Sequence, residues 1–389
     1  MSSNAQQTMT PEKLWQLGRV TPIGISKDGK SLIYKVGTPN VQENKINSKY
    51  FSVPVGGGKE TLLESIEGLL VDKNISKDGS KKLVDKAVKV EKLLGSDLYP
   101  ELSKTTAQVY ESLDYRHWDT WNDGTHNHVG YSENKKDAAF VDIMPNEPYD
   151  SPQKPHGGDE DYIWSPDGSK IIYVCKKKAG TAYATSTNTD LYEYDLASKT
   201  TKNLTEKNLG YDTHPSFSPQ GDLTWLQMKR DGFEADKNDI IVRFKGMDIN
   251  LTAAWDGTVD SFTWSNDGKK VYFIAPVLGT KQLFEVNFPG VTRIAVTVRQ
   301  LTDGDFDVNG IVGFTGTSIL VTKTSHNMAT EVFSCDLKTK SWKQITHVND
   351  EAYSKIAKCT SEKRWVTTTD GKKMLVWVIL PPNFDKTKK

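Results

Sequence analysis

Acidic side chains gather at two places in the 389-residue sequence. Glu160 and Asp161 fall in the string GGDEDYIWSPDG that begins at Gly157, and Glu234 and Asp236 follow Arg230 in RDGFEAD. Carboxylates grouped in this way can hold a cationic amino group through charge-assisted hydrogen bonds, each contributing roughly 1.5–3 kcal/mol when partly desolvated. Arg230 can hold a carbonyl or pair with one of those acids. A structural use competes: an Asp or Glu ahead of a strand caps a turn, and Arg230 with Asp231 or Asp236 forms an ion pair. His126 and His128 stand two apart, so on a strand they share a face and make half of a metal site. No third ligand is fixed beside them by sequence, and neither a metal nor another cofactor is expected. Cys175, Cys335 and Cys359 are odd in number and far apart, without a CxxC motif or a disulfide framework. A GxSxG nucleophile elbow occurs nowhere, since Gly24-Ile-Ser26 is followed by Lys27 and Asp28. No Ser, His and Asp trio for acyl transfer is therefore assigned.

The elements that must position these groups come as repeats. A Ser-x-x-Gly turn followed by an apolar strand recurs as SKDG ending at Gly29 and at Gly79, SPDG at Gly168, SPQG at Gly221, SNDG at Gly268 and a degenerate FTG at Gly316. Pro fixes φ in such a turn, Asp or Asn tolerates the left-handed region, and Gly supplies positive φ between two strands. These glycines step by 50, 89, 53, 47 and 48 residues, and the long step reads as two units, the hidden one around residues 118–131. After the second strand each unit has another alternating pair, such as LYEYDL from Leu191 and TKNLT ending at Thr205. A period of about 48 residues with four strands per unit is the mark of a β-propeller, whereas a sandwich gives turns every 8–12 residues or so and no such period. The expected fold is an all-β, seven-bladed β-propeller of four-stranded blades over residues 10–350.

Other segments are read as accessories. Thr10 followed by Pro11 starts a short helix, and Leu98, Leu102, Val109 and Leu113 have helical spacing. Trp118, Trp121, Trp164, Trp225 and Trp264 are read as packing within or between blades. Asn203-Leu-Thr205 and Asn250-Leu-Thr252 fit a glycosylation pattern, but each also ends a fourth strand. Residues 351–389 hold a hairpin around Asp370-Gly371 whose second strand, MLVWVIL from Met374, is apolar on both faces and calls for cover on both. Residues 1–9 are expected to be a disordered or fused N-terminus, because MSSNAQQ has neither the basic nor the apolar region of a signal peptide. With 50 Lys+Arg against 50 Asp+Glu the formal charge is zero, so neither nucleic acid nor a membrane surface is an expected partner. Nor does the sequence contain a run of about 18 apolar residues that would cross a membrane.

At its opening segment TPEKLWQLGRV from Thr10, at YRHWDTW from Tyr115, at GGDEDYIWSPDG and RDGFEAD, and at its close from EKRW at Glu362 through PPNFD at Pro381, the sequence resembles the bacterial dipeptidyl-peptidase 5 branch of the prolyl oligopeptidase family, close to the acylaminoacyl-peptidases. The resemblance covers essentially the whole chain. It implies a propeller that restricts which peptides reach a following α/β-hydrolase domain, with the triad in that absent domain and residues 351–389 as linker and first strands of it. It further implies short peptide substrates with Ala or an apolar residue at P1, a periplasmic or secreted location, and no turnover by these 389 residues alone. A dipeptidyl-peptidase must stop the substrate's amino terminus two residues short of the scissile bond. Glu160, Asp161, Glu234 and Asp236 are the candidates for that task, with Arg230 on a substrate carbonyl.

Topology sets the face. The chain enters the first blade before an inner strand and leaves the last after an outer one. The loops between blades (d to a) and the loops joining each second and third strand (b to c) therefore lie on the side where a further domain would sit. Residues 157–162, 176–190, 211–214 and 229–239 are all on that side. Two other functions compete: a stand-alone periplasmic interaction propeller whose exit segment packs on the ring, and an enzyme with its site in the central channel. The channel site would need convergent carboxylates at equivalent blade positions, and none recur.

Overall fold

Residues 7–115, 119–291 and 296–388 are described by a computed structural model of the chain. Blade 1 comprises β1 (Arg19–Ile25), β2 (Ser31–Asn40), β3 (Lys45–Pro54) and β4 (Thr61–Leu63), antiparallel and in chain order. Blade 2 has β5 (Lys81–Lys89), β6 (Thr125–Glu133) and β7 (Val141–Asp142). Blade 3 has β8 (Tyr162–Trp164), β9 (Lys170–Cys175), β10 (Asp190–Asp195) and β11 (Thr200–Asn203). Blade 4 has β12 (Asp212–Phe217), β13 (Leu223–Gln227), β14 (Asp239–Phe244) and β15 (Met247–Asn250). Blade 5 has β16 (Ser261–Trp264), β17 (Lys270–Val277), β18 (Thr280–Asn287) and β19 (Val298–Gln300). Blade 6 has β20 (Asp307–Thr315), β21 (Ser318–Ser325), β22 (Met328–Asp336) and β23 (Trp342–Gln344), and a separate hairpin follows, β24 (Thr360–Thr367) with β25 (Lys373–Leu380).

The propeller thus has six blades, not the expected seven. Residues assigned to the hidden unit form β6, which pairs with β5 from Lys81↔Glu133 to Lys89↔Thr125. The 89-residue step is one blade carrying an excursion, residues 90–124, between its second and third strands. Its inner strand is reduced to the single bridge Ile75↔Lys82, which is why the sheet has three strands rather than four. A period counts blades only when loops are even, and an insertion in one loop lengthens the step without adding a sheet. Trp118, part of the supposed unit, lies outside the described residues.

Each of the six turns does join an inner strand to the next. In blade 3, Ser165 Oγ donates to Asp167 Oδ1 (2.6 Å) and accepts from Lys170 N (2.9 Å), while Gly168 takes φ 76°. Second strands are apolar on both faces because both faces are covered. Ile171, Tyr173 and Cys175 of β9 pack with Leu83 and Val129 of blade 2, while Ile172 and Val174 pack with Leu223, Trp225 and Ile241 of blade 4. Trp164 and Trp264 reach back a blade, their indole nitrogens donating to the Asn74 carbonyl (2.7 Å) and to Thr224 Oγ1 (3.1 Å). The ring closes through side chains rather than a shared sheet: Val20, Leu32, Tyr34 and Val53 of blade 1 form one core with Leu320, Val332 and Ile345 of blade 6.

The helix α1 (Pro11–Gln16) forms as expected, with Thr10 as its cap. The expected helix over Leu98 to Leu113 does not. Only α2 (Gly95–Leu98) and a single 3-10 turn, Pro100–Leu102, are helical there, and Leu98, Leu102, Val109 and Leu113 are all exposed. The remaining helices are α3 (Gly180–Thr185) and α4 (Asp350–Ser354).

The hairpin docks on one rim of the ring. Lys363 pairs with Asp305 (2.7 Å) in the loop between blades 5 and 6, and Asn327 Nδ2 donates to the Cys359 carbonyl (2.9 Å). The Trp377 ring lies 5.4 Å from that of His326, and a Cβ on Gly279 would come 2.5 Å from its Nε1. Residues 278–279 and 326–327 are the b-to-c turns of blades 5 and 6, so the hairpin sits on the rim expected from topology. Trp365, Val366, Met374 and Ile379 remain exposed on it.

Candidate functional site

A cleft of about 600 Å³ opens on that same rim, between blades 3 and 4. Four loops wall it: residues 153–161 ahead of β8, 176–187 after β9, the stretch around Tyr211 to His214 entering β12, and 232–235 after β13. The walls are aromatic, from Tyr183, Tyr211 and Phe233, and His214 lines the floor in an unusual conformation. Its φ is 54°, in the bulge where the register of β12 shifts between Thr213 and Ser216. A non-glycine residue held there costs of order 1–3 kcal/mol, which the pairing on either side must offset.

The five residues singled out from sequence separate into three groups. Glu160 and Glu234 line the cleft, and among the described residues neither carboxylate has a hydrogen-bond or salt-bridge partner. Asp161 also lines it but is turned inward and buried, its Oδ2 accepting from Gln153 N at 2.9 Å. Burial raises its pKa to about 7, the Gln153 amide pulling it back and the charge on Glu160 adding to the rise. Gly157 is obligatory beside it, because a Cβ there would come 2.1 Å from Asp161 Oδ2 and 2.4 Å from Gln153 N. Asp161 is thus the organiser of the 153–157 wall. Arg230 and Asp236 do not line the cleft. They hold each other through Nε (3.2 Å) and Nη2 (2.9 Å), with the Arg230 backbone nitrogen also donating to Asp236 Oδ2 (3.0 Å). The Arg230 hydrogen bond brings the Asp236 carboxyl down to about 2, and the guanidinium lies 4.3 Å over the Phe233 ring. This pair shapes the loop that presents Phe233 and Glu234.

Four further residues contribute that spacing did not mark. Lys176 packs its ammonium 4.6 Å over the Tyr183 ring, and burial lowers its pKa against the pull of Asp231 and Glu234. Burial likewise pushes Tyr183 up to about 12 and lowers His214, which the charge on Glu160 opposes. Asp231 ties the two blades together, accepting from Ser186 Oγ (2.7 Å) and Thr187 N (2.8 Å). Aromatic residues interleaved with acids in facing loops were the available signal. Which loops face one another depends on the ring, not on any one repeat.

Two unpaired carboxylates among aromatic walls suit a compact organic cation, which gains from both hydrogen bonds and ring faces. His126 and His128 do not converge on a shared ligand. The first lies between Glu91 and Asp150, and the second between Asp142 (2.8 Å) and the Glu147 carbonyl (2.9 Å). Among the described residues no group of three or more His, Cys, Asp or Glu is placed to hold a metal ion.

Fold and cleft together define a β-propeller with an acidic, aromatic-walled cleft on its loop rim. No family model matches the sequence. Dipeptidyl-peptidase 5 of Porphyromonas gingivalis is 32% identical over 440 residues, a match that covers 100% of this chain and 63% of that protein. Dipeptidyl-peptidase 5 of Porphyromonas endodontalis is 34% identical over 428 residues, covering 98% of this chain and 61% of its own length. The acylaminoacyl peptidase of Pyrococcus horikoshii has the same fold over 96% of this chain and 59% of its own, with a TM-score of 0.66 at 13% identity. The chain is thus a homologue of bacterial dipeptidyl-peptidase 5, and it spans less than two thirds of the length of these relatives.

Proposed function

We propose that this chain is the propeller of an exported serine dipeptidyl-peptidase, in which the cleft admits short peptides and Glu160 and Glu234 hold the peptide's free amino terminus. One observation carries the proposal: the only two acids of the five that are unpartnered in the cleft, among the described residues, stand on the rim where the hairpin docks. An α-ammonium has three donors, which two carboxylates from different loops of one cleft can share, with the aromatic side chains offering ring faces to the charge. With no GxSxG in its 389 residues, the chain binds peptide without cleaving it, the nucleophile being supplied from outside them. Glu160→Gln and Glu234→Gln each remove a charge and keep the shape. Each is expected to weaken binding of a tetrapeptide amide about tenfold in a calorimetric titration, the scale of one charge-assisted hydrogen bond. Unchanged affinity in both variants would remove them from the anchor.

A second function, a protein-interaction propeller, is favoured by one feature, the packing of the hairpin onto the b-to-c turns of blades 5 and 6. It expects the cleft to be indifferent to peptides.

A further inference from the structure

His126 stands at the neck of the blade 2 excursion, on β6 opposite Val88 of β5. The neck is tight. Val90 N and Glu91 N both donate to the Gly124 carbonyl, at 2.8 and 3.1 Å, and Gly124 has φ 84°. A Cβ at Gly124 would come 2.2 Å from the Glu91 carbonyl oxygen, so the backbone fixes where Glu91 and the His126 ring meet. His126 is 8% exposed and both its ring nitrogens face carboxylates, Nε2 at 3.1 Å from Glu91 Oε2 and Nδ1 at 3.2 Å from Asp150 Oδ2. A neutral imidazole has one donor and one acceptor nitrogen, so it would turn a lone pair towards one of those anions. Only the imidazolium donates to both. Asp150 has other ties, accepting from Asn127 N (2.8 Å) and pairing with Lys154 (3.0 Å), whereas Glu91 has only a long bond from Asn122 Nδ2 (3.3 Å). From Asp150 the chain runs through Gln153 and Gly157 to Glu160, the wall of the cleft.

We propose that protonated His126 is a positioning residue for the amino-terminal anchor: it fastens the neck of the excursion to the loop that carries Glu160, and loss of its proton releases Glu91 and loosens that loop. This inference rests on the proposed anchoring role of Glu160. The charged groups in contact with the ring are Glu91 and Asp150; Lys154 pairs with Asp150, whose charge also reaches Tyr183 and Cys175 of blade 3, while His128 pairs with Asp142 further along β6 and Lys89 with Asp97 at the end of β5. Burial keeps Cys175 a thiol and Tyr183 a phenol, so neither titrates near neutrality. Burial alone would lower the pKa of His126, but the hydrogen bonds to Asp150 and Glu91 outweigh it and raise it. With the folded value above the ordinary one of about 6.5, the clamp is complete below that value and is lost as the pH rises through the folded pKa.

Two readouts on the 389-residue chain separate the clamp from the anchor. The first, without ligand, follows the His126 ring by NMR and the amide exchange of residues 150–161 across pH 6 to 9. The expected result is extra opening of those amides, beyond the intrinsic rise of exchange with pH, that tracks the ring's titration. The second is the affinity for a free-amine tetrapeptide amide over the same range, in the chain and in His126→Gln. The peptide's own ammonium titrates identically in both, so a fall in affinity of about fivefold or more that the variant lacks belongs to His126. In the ligand-free exchange, with the intrinsic pH dependence removed, His126→Gln is expected to behave at pH 6 as the parent does at pH 9. If that variant fails to fold, Glu91→Gln, which keeps the ring and removes one anion, is expected to shift the titration down and flatten the profile. A ring that titrates with no change in loop exchange, or parent and variant profiles that superimpose, would overturn the proposal. Absence of peptide binding at every pH would instead overturn the anchoring role, and the exchange data would still decide the clamp.

Discussion

At the scale of single residues, charge alone does not distinguish an anchor from a scaffold. Glu160 and Asp161 are neighbours in sequence, yet one faces the cleft unpartnered and the other is buried against Gln153. Both letters were visible in advance, but their separation depends on Gly157, which lets Asp161 fold under its own loop. The same holds for Arg230 and Asp236, legible as a charge cluster but closed on each other in space. Asp161 has a pH signature of its own. Its folded pKa near 7 lies above the ordinary value of about 3.9, so the native state binds the extra proton and this residue's contribution falls as pH rises from about 4 to about 7. Asp161→Asn removes that slope while keeping an oxygen for Gln153 N. The variant is expected to gain stability relative to the parent on going from pH 5 to pH 8, measured by urea unfolding at each pH. Asp212, also raised to about 7 by burial, is present in both proteins and cancels from the comparison. A difference independent of pH would show that Asp161 is ionised in the fold.

Among elements, the repeat is legible in the sequence wherever it is local. Six turn signatures mark six real a-to-b connections, and the error lay in dividing the long step by the period. A second recurring device went unrecognised because its partners are distant in sequence. Thr205, Thr252, Thr302 and Thr346, each just beyond an outer strand, accept from the backbone nitrogen of Leu191, Ile240, Leu283 and Val332 near the start of the third strand. Three of these hydroxyls donate within 3.0 Å to the polar side chain one residue earlier: Thr252 to Asp239, Thr302 to Gln282 and Thr346 to Glu331. The two apparent glycosylation strings are this device, and their threonines are buried. Thr252→Val keeps the shape, strands the Ile240 amide and leaves Asp239 to its ion pair with Lys237 (2.9 Å). It is expected to cost about 1–3 kcal/mol in urea unfolding, and a cost near zero would mean that water replaces the hydroxyl.

For the whole molecule, the ring depends on a closure that no repeat encodes. Asn349, beyond the last blade, donates from Nδ2 to the Gly18 carbonyl (3.0 Å) and accepts from Gly18 N (2.8 Å), 331 residues away in sequence, and Glu331 holds the Asn349 backbone nitrogen (3.0 Å). Asn349→Ala leaves those buried groups unmet and is expected to cost about 2–4 kcal/mol. It should also raise amide exchange in β1 and β22 first, where blades 1 and 6 meet. Uniform loosening of all blades would contradict a closure held at this seam. The central claim also belongs at this scale, because the cleft exists only where blades 3 and 4 stand side by side. It is tested most directly by calorimetric titration of the 389-residue chain with one tetrapeptide amide in two forms, free and acetylated at its amino terminus. Saturable binding of the free peptide with loss of at least about tenfold in affinity on acetylation is the predicted result. Equal binding of the two forms, or none of either, would contradict an amino-terminal anchor in this propeller.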